Sequence, residues 1–137
     1  MNLSKGNQLT SGFLDLLVQN GISYSRSNIS RNVFSIKEFS TLIYIKSRSE
    51  LPFKWGITAN VVSKLNSSVT NWISVLLFQK PYTGYLLSSD DVNYYIKNVW
   101  PLAADGDYKP ATGSYLSKNK PFNSIQEFIQ QFNSLKD

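Results

Sequence analysis

Two apolar runs, rich in β-branched and aromatic residues, constrain the fold of this chain more than any other feature. They cover residues 41–47 and 72–78. A strand that is apolar on consecutive residues, and not only on alternate ones, is typical of a sheet centre covered on both faces. The segment between the two runs contains a short helical pattern at residues 58–66. A helical crossover of this kind predicts that the two strands lie side by side and parallel, in the right-handed sense.

The other segments predict the rest of one sheet and the helices that cover it. The predicted fold is α/β (α+β), in a single domain of residues 1–137, with a mixed sheet of about five strands and helices packed on it. The core order is αβββαβ, followed by a hairpin strand and two C-terminal helices, and residues 101–123 are predicted to be mostly loop. Strand patterns lie at residues 22–26, 33–36 and 85–87, and helical patterns at residues 8–20, 92–99 and 125–135.

Polar residues that precede three of the helical patterns are placed to cap those helices. Thr58 is a candidate N-cap for the crossover helix. Ser88 with Asp91, and Ser124 with Glu127, have the spacing of capping boxes. These residues predict where each helix begins.

The chain contains no cysteine and no histidine. Their absence excludes a disulfide scaffold, thiolate metal sites, thiol catalysis and a Ser-His dyad, so any catalysis would depend on carboxylates, lysine or tyrosine. We therefore expect no metal site and no cofactor from composition alone. The N-terminus has no apolar run of the signal-peptide type, and residues 72–78 are far too short to cross a bilayer. We expect a cytoplasmic protein without membrane contact.

The positive charge of this basic protein is concentrated in the first half of the chain. Residues 1–70 contain eight Lys and Arg against three Asp and Glu, whereas residues 71–137 contain six of each sign. The whole net charge of +5 therefore belongs to the first half. A basic half beside a neutral half favours a face that meets polyanions, and a solvated basic surface without a partner is the alternative.

Residues 5–78 contain several short motifs that can be compared with those of known families. The motifs are Lys5-Gly6, Gly21-Ile22, Tyr24 to Arg26 with Ser30, and the strand at residues 42–47 with its Lys46. They resemble those of the archaeal Holliday-junction-resolvase branch of the PD-(D/E)XK nuclease superfamily, whose core also has this element order. The resemblance covers about half of the chain.

The resemblance implies a nuclease site that needs two acids to hold a divalent cation beside a lysine. Lys46 takes the lysine position, and Tyr44 stands where the motif has Asp or Glu. Glu38 is the only carboxylate in the region where the earlier aspartate should fall, and Asp15 is a candidate for an acid in the first helix. Because a phenol is a poor Mg²⁺ ligand, we expect a degenerate active site, with Mg²⁺ as cofactor only if the nuclease is active.

A nuclease-like fold that has lost its acids would still hold the phosphate backbone of DNA or RNA on the face that carries the nuclease site in the family. The ring of Trp55 or Phe53 could stack on an unpaired base, or could instead cover the edge of the core. The residues that we expect to bind nucleic acid are Arg26, Arg31, Lys46, Arg48, Lys54 and Trp55.

The leading functional prediction is a nucleic-acid-binding module with a nuclease-like fold and no catalytic activity. A protein-binding regulatory or inhibitor domain is the first alternative, because Tyr94, Tyr95 and Trp100 form an aromatic cluster that suits either packing or an interface. A metal-dependent nuclease with migrated acids, using Glu38, Asp15 and Lys46, is the second. A protein partner and a homodimer stay open.

Overall fold

The structure is a computed structural model that describes residues 5–50, 54–68, 70–110 and 120–135. Residues 51–53, with the candidate stacking ring Phe53, lie outside the described residues, as does part of the predicted loop at residues 111–119. A 3₁₀ turn is formed by Lys37–Phe39. The elements are α1 (Lys5–Gln19), β1 (Tyr24–Arg26), β2 (Val33–Ile36), β3 (Thr41–Arg48), β4 (Ile57–Thr58), α2 (Ala59–Ser67), β5 (Asn71–Phe78), β6 (Gly84–Ser88), α3 (Ser89–Asn98), β7 (Asp107–Tyr108), β8 (Lys120–Phe122) and α4 (Ile125–Leu135).

The described strands form a mixed six-stranded sheet in the order β1-β2-β3-β5-β6-β8. β3 and β5 are parallel along their whole length, from Thr41 opposite Asn71 to Arg48 opposite Phe78. The neighbouring pairs on both sides are antiparallel. The predicted mixed α/β fold and the parallel pairing of the two apolar runs are therefore confirmed.

The stretch predicted to be mostly loop contributes short strands. Lys120–Phe122 pairs with β6 as the sixth strand of the sheet, and Ile57 pairs with Tyr108 in a separate two-stranded ladder. Strands of two or three residues carry too little periodicity to be recognised, and Pro121 restricts β8 to an edge position. The sheet is therefore wider than the five strands that the sequence predicts.

Helices cover both faces of the sheet, which explains the consecutive apolar residues of β3. Ile43 and Ile45 face the core that α1 and α4 cover, where Phe13 and Phe128 are fully buried. Leu42 and Tyr44 point to the opposite core, beneath α2 and α3. Successive side chains of a strand point to opposite faces, so a strand between two cores is apolar at every position.

The helix caps agree with the sequence at α3 and differ at α2. Ser88 Oγ accepts a hydrogen bond from the Asp91 amide at 3.1 Å, and the Ser88 amide donates to Asp91 Oδ2 at 3.4 Å. This is the predicted capping box. Thr58 occupies the N-cap of α2, but its side chain makes no capping hydrogen bond. Its backbone amide donates instead to the phenol oxygen of Tyr44 at 3.1 Å.

None of the helices within the described ranges is both long enough and apolar enough to cross a membrane.

Candidate nucleic-acid interface

An open groove of about 500 Å³ lies where β3 extends beyond β2. β2 begins at Val33, which is opposite Tyr44, so the last residues of β3 have no partner residue in β2. The first half of α1 and the loop at residues 27–32 flank this free part of β3. The lining residues are Asn7, Thr10, Ser11, Leu14, Tyr24, Arg26, Arg31, Asn32, Phe34, Ile45, Lys46 and Ser47.

Three cations from different elements line this groove. Because side chains alternate along β3, Lys46 lies on the face of Tyr44, where the charges of Asp107 and Lys109 also act on it. Arg26 is exposed on β1, Arg31 is exposed in the loop before β2, and Lys46 is half-buried on β3. The guanidinium carbon of Arg26 lies 5.7 Å from the ring centroid of Phe34, within the range of a cation–π contact. Within the described residues, the ion pairs belong to Lys109, which contacts Asp105 at 2.8 Å and Asp107 at 3.7 Å. Arg26, Arg31 and Lys46 therefore form no ion pair with a carboxylate in those ranges, although the charge of Asp107 acts on Lys46.

The environment of Lys46 disfavours its charge. Partial burial lowers the pKa of Lys46 from its ordinary value near 10.5, and the nearby charges of Arg31 and Lys109 lower it further. Asp107 acts in the opposite direction, but more weakly than burial. An anion bound in the groove would restore favourable surroundings for the ammonium group.

The acids that the family resemblance implies do not reach this groove. Both carboxylate oxygens of Glu38 accept a hydrogen bond from the Ser23 amide, at 3.1 Å each. This bond lowers the pKa of Glu38 and fixes the carboxylate beside the chain that leads into β1. Asp15 is exposed on α1 and does not line the groove. Neither side chain lies beside Lys46.

Tyr44, at the position where the nuclease motif has an acid, is a core residue. Its side chain is 1% exposed, and its phenol oxygen accepts the hydrogen bond from Thr58. Burial raises the pKa of this phenol. Tyr44 therefore points into the core beneath α2 and α3 and supplies no ligand to the groove.

The side chains that line the groove do not fit Mg²⁺. Mg²⁺ sites in proteins are built on carboxylates, whereas the oxygen donors here are the amides of Asn7 and Asn32 and the hydroxyls of three residues, Thr10, Ser11 and Ser47. The described ranges contain no group of three or more His, Cys, Asp or Glu residues that could hold a metal ion. The three cations would further oppose a divalent cation, so we derive no metal-dependent step.

The remaining residues of the predicted site lie elsewhere. Arg48 and Lys54 are exposed, but neither lines the groove. Trp55 is 1% exposed, and its indole nitrogen donates to the Leu77 carbonyl oxygen at 2.9 Å. Its ring packs in the core against Phe78, with centroids 6.1 Å apart. Because the indole is enclosed, Trp55 covers the edge of the core and is not available to stack on a base.

The sequence reasoning missed several polar and aromatic residues of the groove. Tyr24 was not among the predicted site residues, although it is two residues from the predicted Arg26 on β1, the spacing that places side chains on one face of a strand. Asn7, Ser11 and Leu14 follow the helical spacing of α1, beside its buried stripe. The strand spacing in β1 and the helical spacing in α1 can both be read from the sequence. The fact that these two faces line one groove follows only from the three-dimensional fold.

The described elements form a mixed α/β fold of the nuclease-like type. The chain is similar to the solved structure of Hjc, a Holliday junction resolvase from the archaeal hyperthermophile Archaeoglobus fulgidus, with a TM-score of 0.55 and 16% sequence identity. The match covers 93% of this chain and 97% of that one. No protein-family model and no curated protein sequence matches the chain. The resemblance predicted from short motifs is confirmed at the level of the fold.

Proposed function

We propose that this protein is a DNA-binding module that holds a sugar–phosphate backbone in the groove beside Lys46 and does not cleave it. The observation that carries the proposal is that Arg26, Arg31 and Lys46 line one open groove and that none of them forms an ion pair with a described carboxylate. The nuclease-like fold supports DNA as the polymer, because the similar solved structure is that of a Holliday junction resolvase.

The electrostatics of the groove support the same proposal. Burial and repulsion from the nearby charge of Arg31 both lower the pKa of Lys46, and the charge of Asp107 offsets part of this effect. A phosphate placed in the groove would relieve this repulsion and release condensed counterions from the DNA. Affinity should therefore fall steeply as salt is added.

The absence of catalysis is proposed from the donor chemistry. A metal-dependent hydrolase needs carboxylates to hold the cation that generates the nucleophile. Glu38 is engaged by the Ser23 amide, Asp15 is outside the groove and Tyr44 is buried. These positions favour a binding role over a nuclease role for the groove.

Binding assays at two salt concentrations test the proposal. The protein should bind DNA at about 50 mM salt and bind it much more weakly at about 200 mM salt. Duplex, single-stranded and four-way-junction DNA of matched length should all be measured. Arg31→Ala should weaken binding, whereas Lys97→Ala, which removes an exposed cation on α3, should not. Failure to bind any of the three DNAs at the lower salt would refute the proposal.

A protein-binding role is supported by one separate observation. Tyr94 on α3 is 60% exposed, and its ring contacts Tyr95, which stacks on Trp100 with centroids 5.1 Å apart. Exposed aromatic side chains are enriched at protein interfaces. Recovery of one stoichiometric protein partner, lost on Tyr94→Ala and obtained from nuclease-treated extract, would favour this second candidate.

A further inference from the structure

The groove has an apolar base in addition to its cations. Leu14, Phe34 and Ile45 line it, and each of these side chains is less than 5% exposed. Tyr24 lines the same groove but is 39% exposed, so its ring lies at the rim. A site for phosphates alone needs charge and hydrogen-bond donors, and it gains nothing from an aromatic rim over an apolar base. The lining therefore indicates a ligand with a flat apolar part as well as an anionic part.

We infer that the groove takes one unpaired nucleotide, whose base stacks on Tyr24 while its flanking phosphates contact Arg26 and Arg31. This inference rests on the proposed DNA-binding function and specifies its substrate class. The preferred ligand is DNA with a base outside the stack, in a single strand or at an unpaired position, and not a fully paired duplex.

Phe34 holds the two groups that would grip such a nucleotide. Tyr24 and Arg26 lie on one face of β1, and Arg26 is directly opposite Phe34 in the register of β1 and β2. The rings of Tyr24 and Phe34 meet at 85°, with centroids 5.7 Å apart. In a perpendicular contact Phe34 covers at most one face of the Tyr24 ring. Tyr24 is also 39% exposed, so part of the ring is open to a base, and the contact with Phe34 orients it.

Arg26 is held in a way that leaves its hydrogen-bond donors for a phosphate. Its contact with Phe34 is a cation–π contact, and the guanidinium makes no hydrogen bond or ion pair to a described residue. The donors of a guanidinium lie in its plane, where they match two phosphate oxygens. Asn32 lines the same groove and offers a side-chain amide to the edge of a base.

The size of the groove favours a single nucleotide over a duplex. Its volume of about 500 Å³ lies within the range of pockets that enclose small ligands, roughly 300–1,000 Å³. A paired base inside a duplex has both faces covered by its neighbours, so it offers nothing on which Tyr24 could stack. An unpaired base has a free face, and aromatic stacking on such bases tolerates any sequence.

The test compares a fully paired duplex with a duplex of the same length that carries one extrahelical 2-aminopurine. The protein should bind the second DNA more tightly, and the emission of the 2-aminopurine should fall as the base stacks on the protein. Tyr24→Ala should weaken that binding by about five- to 150-fold. It should also abolish the fluorescence change and leave the affinity for the paired duplex unchanged.

Two variants serve as controls. Tyr24→Phe keeps the ring and should retain tight binding and the fluorescence change. Tyr94→Ala removes a more exposed tyrosine from α3, outside the groove, and should behave like the unsubstituted protein. Equal affinity for the two DNAs, unchanged by Tyr24→Ala, would overturn the inference and leave the proposed function intact. Absence of binding to either DNA at about 50 mM salt would overturn both.

Discussion

The backbone carbonyl oxygen of Asn32 accepts a hydrogen bond from the Ile45 amide at 3.0 Å. This bond ties the loop before β2 to β3 at the residue that precedes Lys46. Arg31, the neighbour of Asn32 in that loop, is thereby kept close to Lys46, although the two residues are distant in sequence. The groove at the end of β2 is thus a product of strand register.

Replacing Lys46 tests whether it contributes to phosphate binding. Lys46→Ala should weaken DNA binding uniformly across sequences, because a phosphate contact carries no base information. The dependence of log affinity on log salt should become shallower by about 0.9 for duplex DNA. Titrations at several salt concentrations measure the slope, and Lys64→Ala on α2 is the control. An unchanged slope would exclude Lys46 from the interface.

DNA binding should depend on pH through Lys46. Burial lowers the pKa of Lys46, and a bound phosphate would favour its charged form, so affinity should fall as the pH rises through that lowered pKa. Lys46→Arg keeps its charge across this range and should bind with a flatter pH profile. Fluorescence anisotropy between neutral pH and about 10.5 measures both profiles. Parallel profiles for the two proteins would contradict the assignment.

The same pKa shift has a consequence for stability. The pKa of Lys46 is lower in the folded state, so between that value and its ordinary value near 10.5 the unfolded chain binds more protons. The contribution of Lys46 to folding stability should therefore rise with pH in this window, because burial of the charge is no longer required. Urea denaturation at several pH values should show a smaller rise for Lys46→Met than for the unsubstituted protein.

Trp55 should matter for stability and not for DNA binding. Trp55→Phe removes the donor to the Leu77 carbonyl and part of a fully buried ring, at a cost of about 1–3 kcal/mol in the free energy of unfolding. Urea denaturation measures this loss. The DNA affinity of the folded variant should stay within about twofold of the original, a change below 0.5 kcal/mol. A large loss of DNA affinity in a stably folded Trp55→Phe variant would show that Trp55 contributes to DNA binding.

Plasmid DNA should remain intact with this protein in Mg²⁺ or Mn²⁺. The groove supplies amides, hydroxyls and cations, which do not hold a divalent metal. Gel analysis of supercoiled plasmid measures nicking, and Lys46→Ala is the diagnostic variant. Nicking that disappears in Lys46→Ala would establish a nuclease with migrated acids. Nicking that persists in it would point to a contaminating enzyme.

The central part of the fold could be predicted from the sequence because its signals are long and mutually consistent. The runs at residues 41–47 and 72–78 each contain several consecutive apolar residues, and the Ser88–Asp91 capping box marks the start of α3. The two-residue strands β4 and β7 have no such signal, because their pairing depends on contacts between distant segments. Thr58 is a residue type that often caps helices, but here its backbone amide donates to the phenol oxygen of Tyr44 on β3.

The candidate site could be predicted only in part, because charge can be counted along a chain but its placement cannot. The predicted site contains Arg26, Arg31 and Lys46, and in the structure these three residues line one groove. Arg48 and Lys54 belong to the same basic half of the chain but lie outside it. Trp55 shows a second limit of the sequence. A ring next to Lys54 in the chain can be buried or exposed, and the sequence does not distinguish the two.

Because β3 extends beyond β2, Lys46 and Arg31 are held in place by different parts of the molecule. Lys46 is anchored by a strand sandwiched between two layers of helices, so its place changes only if the framework itself changes. Arg31 lies on the connection between β1 and β2, which is held at Asn32 by the Ile45 amide and at Ile29 by packing against the core beneath α2 and α3. The position of Lys46 therefore depends on the sheet, whereas the position of Arg31 depends on the conformation of this one connection.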